Sequence, residues 1–418
     1  MKRSLLKNGI VILTEEIPNA YSVSINLTVL TGSRHESKNE SGISHFIEHL
    51  LFKGTESFPD PILITEKIES TGGFINAETT HESTSYWCKL PHEHLAKGLG
   101  TLFDMIKNPL FEKESVETER KVIIEELNNI NDYPNDKADS LLDNLMWPGC
   151  GLGRDIGGTE KSINSINHPQ IVKFFENNYI PNNIIVSIAG KALHQDIVNM
   201  ASKLSEDMRC ASIMHEDIFV STQKTSQISV VHKDIDQVYL SMGYLTVSKY
   251  NNSKYILDLL GIILGEGMSS RLFNEIREKR GLAYEIEAST SYFTDSGVFQ
   301  ISAGLDKNKY ITALTVILSE LAKIQTNLTE KELEKAKSII SGRFKLKLEE
   351  TKSVTDWNIT KEISGQPNIT DQEILNAYNS VDLSQIKNAA TKYFNPNNAN
   401  IILLGPCVNV PKMHEMIF

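Results

Sequence analysis

His45-Phe46-Ile47-Glu48-His49 decides how this chain is read. At about 100° per residue, His45, Glu48 and His49 fall on one arc of a helix, while Ile43, Phe46, Ile47, Leu50 and Leu51 fall on the opposite one. The apolar arc anchors the helix and the polar arc gathers two imidazoles and a carboxylate. Neutral imidazoles are good zinc ligands, and a carboxylate that need not ligate can take a proton from water. A solvated face that happens to carry two His is the plainer alternative. A third ligand would exclude it.

Glu119-Arg-Lys-Val-Ile-Ile-Glu-Glu126 lies in a long helical pattern. Glu119 and Glu126 are seven apart and so stand two turns from each other on one face. This helix and the His45 helix can meet over a metal. Glu125 is an adjacent and equally acidic rival, pointing about 100° away from Glu126.

With these residues in place the chain resembles the pitrilysin, insulysin and mitochondrial processing peptidase family of zinc endopeptidases, in its short bacterial-type form. The order His-x-x-Glu-His is the inverzincin form of the zinc-peptidase signature. The resemblance implies that Glu126 is the third ligand of one Zn2+ per chain and that Glu119 supports the site from behind. It implies too that Glu48 stays free as the catalytic general base. Three protein ligands and one open position describe a catalytic rather than a structural zinc.

Gly267-Met-Ser-Ser-Arg-Leu-Phe-Asn-Glu-Ile-Arg277-Glu-Lys-Arg-Gly-Leu-Ala-Tyr284 is similar to the family's second-domain segment. An Arg and a Tyr seven apart there contact substrate carbonyls and the tetrahedral intermediate, which would be the role of Arg277 and Tyr284. The strand Phe74-Ile-Asn76-Ala77-Glu78 matches the family's edge strand, onto which substrate backbone adds as a further strand. Asn76 and Ala77 are its expected binding residues. Glu78 stands where an aromatic is common, and a carboxylate there would favour basic residues near the scissile bond. Gly151-Leu-Gly-Arg-Asp-Ile-Gly-Gly-Thr-Glu is similar to a family loop and is given a structural role.

The chain has 418 residues, with 42 basic and 53 acidic ones for a net charge of −11. That length exceeds one ordinary core, and no Lys/Arg-rich block of the kind that tracks nucleic acid is present. Cys88, Cys150, Cys210 and Cys407 are scattered and form no CxxC pair, which fits a reducing compartment. The start runs almost at once into strand-like sequence, and the longest apolar stretch, Tyr255 to Leu264, is too short to span a membrane. A cytoplasmic protein without nucleic-acid or membrane partners is expected.

Val23, Ile25, Leu27 and Val29 alternate with Ser24, Asn26 and Thr28, the mark of a half-buried strand leading into the His45 helix. A second strand pattern from Val238 again precedes a strongly apolar helix, Tyr255 to Leu264. Phe111 to Glu119 resembles Thr329 to Lys337, a register that sets Lys337 opposite Glu119 and Phe344 opposite Glu126. The chain reads as one plan used twice, the second time without the metal set.

The expected domains are 1–205 for the zinc-binding catalytic domain, 206–227 for a linker that includes Met214-His-Glu-Asp, and 228–418 for the related second domain. The class is α+β. The resemblance implies two similar domains, each an antiparallel-rich sheet covered by helices, as in the LuxS and processing-peptidase metalloprotease fold. It implies also a two-fold homodimer with sites completed across the interface, acting on peptides or unfolded polypeptide. The alternative is a non-catalytic scaffold or partner subunit, although such relatives typically lose the His-x-x-Glu-His set that this chain keeps.

Overall fold

The computed structural model describes residues 1–213 and 218–407, so Met214 to Asp217 of the expected linker lie outside the described residues. Two sheets organise the chain. The first holds β1 (Lys2–Leu5), β2 (Val11–Glu16), β3 (Ser22–Val29), β4 (Phe74–Thr79), β5 (Thr84–Pro91) and β6 (Ile184–Gly190) in the order β1-β2-β6-β3-β5-β4. The second holds β7 (Gln227–His232), β8 (Gln237–Leu245), β9 (Ala283–Tyr292), β10 (Gly297–Asp306) and β11 (Asn400–Gly405) in the order β7-β11-β8-β10-β9.

Strand for strand, β2-β6-β3-β5-β4 repeats as β7-β11-β8-β10-β9, with β1 as an addition to the first sheet. The one parallel pairing recurs at the same place, β2 on β6 and β7 on β11, and every other pairing is antiparallel. This is the α+β class, with one plan used twice.

Each sheet has its own core. In the first, Ile25, Leu27, Tyr86 and Cys88 face Ile43, Phe46, Ile47 and Leu50 of the Ile43–Leu50 helix and Leu99, Leu102 and Phe103 of the Leu95–Lys107 helix. In the second, Leu240, Met242, Phe299 and Ile301 pack with Leu257, Leu260 and Leu264 of the Lys254–Leu264 helix and with Leu314 and Ile317 of the Tyr310–Asn327 helix.

The two compact units are not continuous in sequence. One comprises residues 1–128, 154–213 and 345–368, and the other residues 129–153, 218–344 and 369–407. The Pro134–Met146 helix, from the first half of the chain, therefore packs on the second sheet, where Asp139 Oδ1 accepts from Ser241 Oγ (2.6 Å) and Gln300 Nε2 (2.6 Å). The Thr351–Ile363 helix, from the second half, packs on the first sheet. There Asn26 Nδ2 donates to Asp356 Oδ1 at 2.9 Å, and Ser24 Oγ lies 2.8 Å from Thr351 Oγ1.

This helix changes the reading of β3. Ser24, Asn26 and Thr28 are buried at 0, 3 and 1% exposure, so the strand is covered on both faces rather than half-buried. The polar residues face the polar side of a helix that arrives from more than 300 residues downstream.

Candidate metal centre

The Ile43–Leu50 helix begins at Gly42, whose φ of 93° is open to glycine and costly for other residues. A Cβ at Gly42 would also run into the Gly157 carbonyl oxygen. With no side chain of its own at that cap, the helix is capped from elsewhere. Glu36 accepts from Gly42 N at 2.8 Å and from Ser44 N at 2.9 Å, one bond to each carboxylate oxygen. Burial pushes the Glu36 carboxyl up to about 7, against the pull of those two N–H groups and of Arg154. Arg154 Nη2 in turn donates to the Glu36 carbonyl at 2.5 Å.

On the open arc, His45 Nε2 and His49 Nε2 stand 3.2 Å apart. Glu126 Oε2, from the Lys113–Asp132 helix, lies 3.7 Å from the first and 3.6 Å from the second. A tetrahedron about an ion with bonds of about 2.0–2.1 Å has edges of about 3.3 Å, so this spacing fits zinc. Among the described residues these three form the one group of His, Cys, Asp and Glu spaced to hold a metal. Glu125 is exposed and outside it, as are His81, His92 and His94.

Behind the group, Glu119 is 3% exposed, with Oε2 3.1 Å from His49 Nδ1 and Oε1 2.8 Å from Lys53 Nζ. Burial alone would raise its carboxyl, but the bonds to His49 and Lys53 outweigh that and lower it. Burial pulls His49 down, yet Glu119, Glu126 and Glu48 together raise it to about 9, the mark of a site that attracts a cation. His45 behaves oppositely, lowered by burial and by His49, and its Nδ1 is buried without a hydrogen-bond partner. Neutral imidazole is the ligating form.

Glu48 lies beside the three and outside their group. Burial raises its carboxyl, and the Thr79 hydroxyl, donating to Oε2, opposes the rise. Such an arrangement can hold a divalent ion on three side chains and keep a separate carboxylate for proton transfer.

The first of two matching family models, described as insulinase (peptidase family M16), covers residues 11–160. The second, described as the peptidase M16 inactive domain, covers residues 165–340. A Rickettsia bellii protein named uncharacterized zinc protease is 33% identical over 96% of this chain and 97% of its own length. The chain belongs to the insulinase family, peptidase M16.

Another M16 relative, the Bacillus subtilis uncharacterized zinc protease YmxG, is 32% identical over 98% of this chain and all of its own. A crystal structure of a protease from Helicobacter pylori superposes with a TM-score of 0.91 over 97% of this chain and 99% of that one, at 24% identity. That likeness speaks for the fold.

The M16 chain holds its other expected site residues at two further places. β4 is the outer strand of the first sheet, with Asn76 and Glu78 exposed and Ala77 half-buried. Asn76 Oδ1 turns back to accept from Ala77 N at 2.8 Å. Asn76 and Glu78 share a face, whereas Ile75, Ala77 and Thr79 share the face that meets the Ile43–Leu50 helix.

In the second unit Arg277 stacks between Phe273 and Tyr284, at 4.8 and 5.2 Å from the two ring centres. Gly304 pairs with Glu285 and Leu305 with Ala283, so Tyr284 is the extra residue of a β-bulge and is 75% exposed. A bulge of this kind re-aims a side chain.

Glu36, Lys53 and Thr79 carry site interactions that sequence reasoning passed over, and Arg154, in the loop given a structural role, carries another. Lys53 and Thr79 adjoin the motifs that were read, but neither has a ligand's chemistry. Glu36 precedes the helix by too many residues to read as a capping box.

Proposed function

We propose that this M16 peptidase is a zinc-dependent metalloendopeptidase that hydrolyses extended peptides and unfolded segments. The observation that carries this is the meeting of His45 Nε2, His49 Nε2 and Glu126 Oε2 within 3.2 to 3.7 Å of one another, close to the edges of a zinc tetrahedron, with Glu48 beside them and outside the set. Zinc held there, one ion per chain, supplies a Lewis acid that polarises the scissile carbonyl and lowers the pKa of water from about 15.7 to about 7.

Glu48 takes the proton of the attacking water and hands it to the leaving amine. Its burial suits that work, because a carboxyl raised above the ordinary range is a better base than a solvated one. Glu119 and Lys53 hold the His49 ring so that Nε2 faces the ion. Arg277 and Tyr284 are donors suited to a developing oxyanion. The bulge that turns Tyr284 outward and the stacking that holds Arg277 beside it support this role.

β4 has one side open to receive peptide backbone, with Asn76 and Ala77 at its centre. Main-chain pairing of this sort demands extended substrate and little particular sequence. The free thiols at Cys88, Cys150, Cys210 and Cys407 suit a reducing, cytoplasmic setting. Among the described residues no helix is long and apolar enough to cross a membrane.

Zinc-loaded protein incubated with a mixed peptide library, with products mapped by mass spectrometry, tests the reading. Glu48→Gln should abolish cleavage and keep zinc, since an amide keeps the shape but cannot accept the proton. His45→Ala, His49→Ala and Glu126→Ala should lose zinc. Absence of cleavage by the loaded wild type would overturn the activity. Zinc retained by Glu126→Ala and lost by Glu125→Ala would overturn the ligand set.

A further inference from the structure

Glu48 must stay out of the metal set although it adjoins His49 in sequence and its side chain turns about three bonds. Resting on the endopeptidase reading, we propose that Thr79 is the positioning residue that aims the Glu48 carboxylate at the attacking water. Thr79 is the last residue of β4, on the face that meets the Ile43–Leu50 helix, and its Oγ1 donates to Glu48 Oε2. Oε1 is then the oxygen left to receive a proton.

The donor is fixed on three counts. A β-branched residue has few χ1 choices, so the hydroxyl direction is set by the strand. Thr79 pairs directly with Thr84 of β5, whose Oγ1 lies 3.5 Å away, at the limit of a hydrogen bond. A hydroxyl has one proton, and Thr84 spends its own on the Thr31 carbonyl at 2.9 Å, so Thr84 does not donate to Thr79 or Glu48. The Thr79 proton goes to the carboxylate, a stronger acceptor than a hydroxyl.

Two residues back along β4, Ala77 faces Tyr86 across the strands, and Tyr86 and Tyr179 are both buried, with hydroxyl oxygens 2.8 Å apart. The edge strand proposed to receive the peptide is thus also the strand that aims the base. Peptide pairing along β4 steadies Thr79, and through it Glu48.

Thr79→Val keeps the shape and removes the donor, and Thr79→Ser restores it. Zinc content, kcat and KM on a cleaved peptide, and a crystal structure of each variant are compared with wild type and Glu48→Gln. Thr79→Val should bind zinc as wild type does, with KM within about twofold and kcat lower by about tenfold to a hundredfold, the scale of a 1 Å misplacement. Its Glu48 side chain should leave the wild-type position, and Thr79→Ser should recover most of kcat.

A Thr79→Val kcat within about twofold of wild type, a Thr79→Ser variant as slow as Thr79→Val, or an unmoved Glu48 overturns the assignment. Equal turnover by wild type and Glu48→Gln would remove Glu48 as the base and overturn the Thr79 assignment with it. Absence of cleavage by zinc-loaded wild type would sink the endopeptidase reading instead, and the Glu48 position in the Thr79→Val structure would then still decide whether Thr79 holds that carboxylate.

Discussion

A carboxylate as deeply buried as Glu119 stays charged only if it is paired, and its two oxygens are divided between His49 and Lys53. Lys53 is therefore the cation that keeps Glu119 an acceptor for the His49 ring. Lys53→Met should weaken zinc binding by roughly tenfold, the lower end of what losing such a supporting partner costs. Titration against a chromophoric chelator measures it, and an unchanged affinity would mean that His49 alone holds Glu119. The motif residues themselves were legible, because two His and three Glu at fixed helical spacing are a chemical statement. Lys53 was not, since a lysine's role depends on which acid it reaches and that acid is 66 positions away.

At the scale of the element, an eight-residue helix has little stability of its own and persists through its packing and its cap. Ile43, Phe46, Ile47 and Leu50 supply the first, at 0–1% exposure, and Glu36 supplies the second. The cap has a pH signature. Burial raises Glu36 from 4.5 to about 7, so below about 4.5 folded and unfolded chains both hold the proton and the contribution to stability is greatest. As pH rises through that window the unfolded chain releases the proton first, and stability is lost until the folded form ionises near 7. The shift corresponds to an upper figure of about 3 kcal/mol. Glu36→Gln cannot titrate and should cost about 1–2 kcal/mol for one unpaired N–H. Chemical denaturation from about pH 4.5 to about pH 7.5 should therefore show the gap between wild type and Glu36→Gln narrowing or reversing as pH rises. A gap independent of pH would show that Glu36 titrates as an ordinary carboxyl. The edge strand β4 was readable from its likeness to the family's strand, but the bulge at Tyr284 was not, because a bulge is a mismatch between two strands and neither sequence alone displays it.

For the whole molecule, we propose from the family resemblance a homodimer with two equivalent sites, in which Arg277 and Tyr284 of one chain would complete the metal centre of a second. Mixing and re-equilibrating His45→Ala with Arg277→Ala chains, each inactive alone, should then restore roughly a quarter of wild-type turnover, since half the dimers are mixed and each holds one intact site of two. No recovery despite proven subunit exchange, or full activity in a clean monomer, excludes that sharing. The sequence by itself determined the metal-type motif, the repeat of one plan and the loss of the metal set in the second half, because all three are written in local spacing. Only the tertiary structure decided where the Pro134–Met146 and Thr351–Ile363 helices belong, since each packs on the sheet built mainly by the other half of the chain. The same exchange decided β3. Ser24, Asn26 and Thr28 read as a solvent face by alternation, yet they are buried, because Thr351 and Asp356 meet the hydrogen bonds of Ser24 and Asn26 while Asn26 and Ser85 meet those of Thr28. Alternation reports polarity, whereas burial depends on whether a distant element arrives with the matching partners.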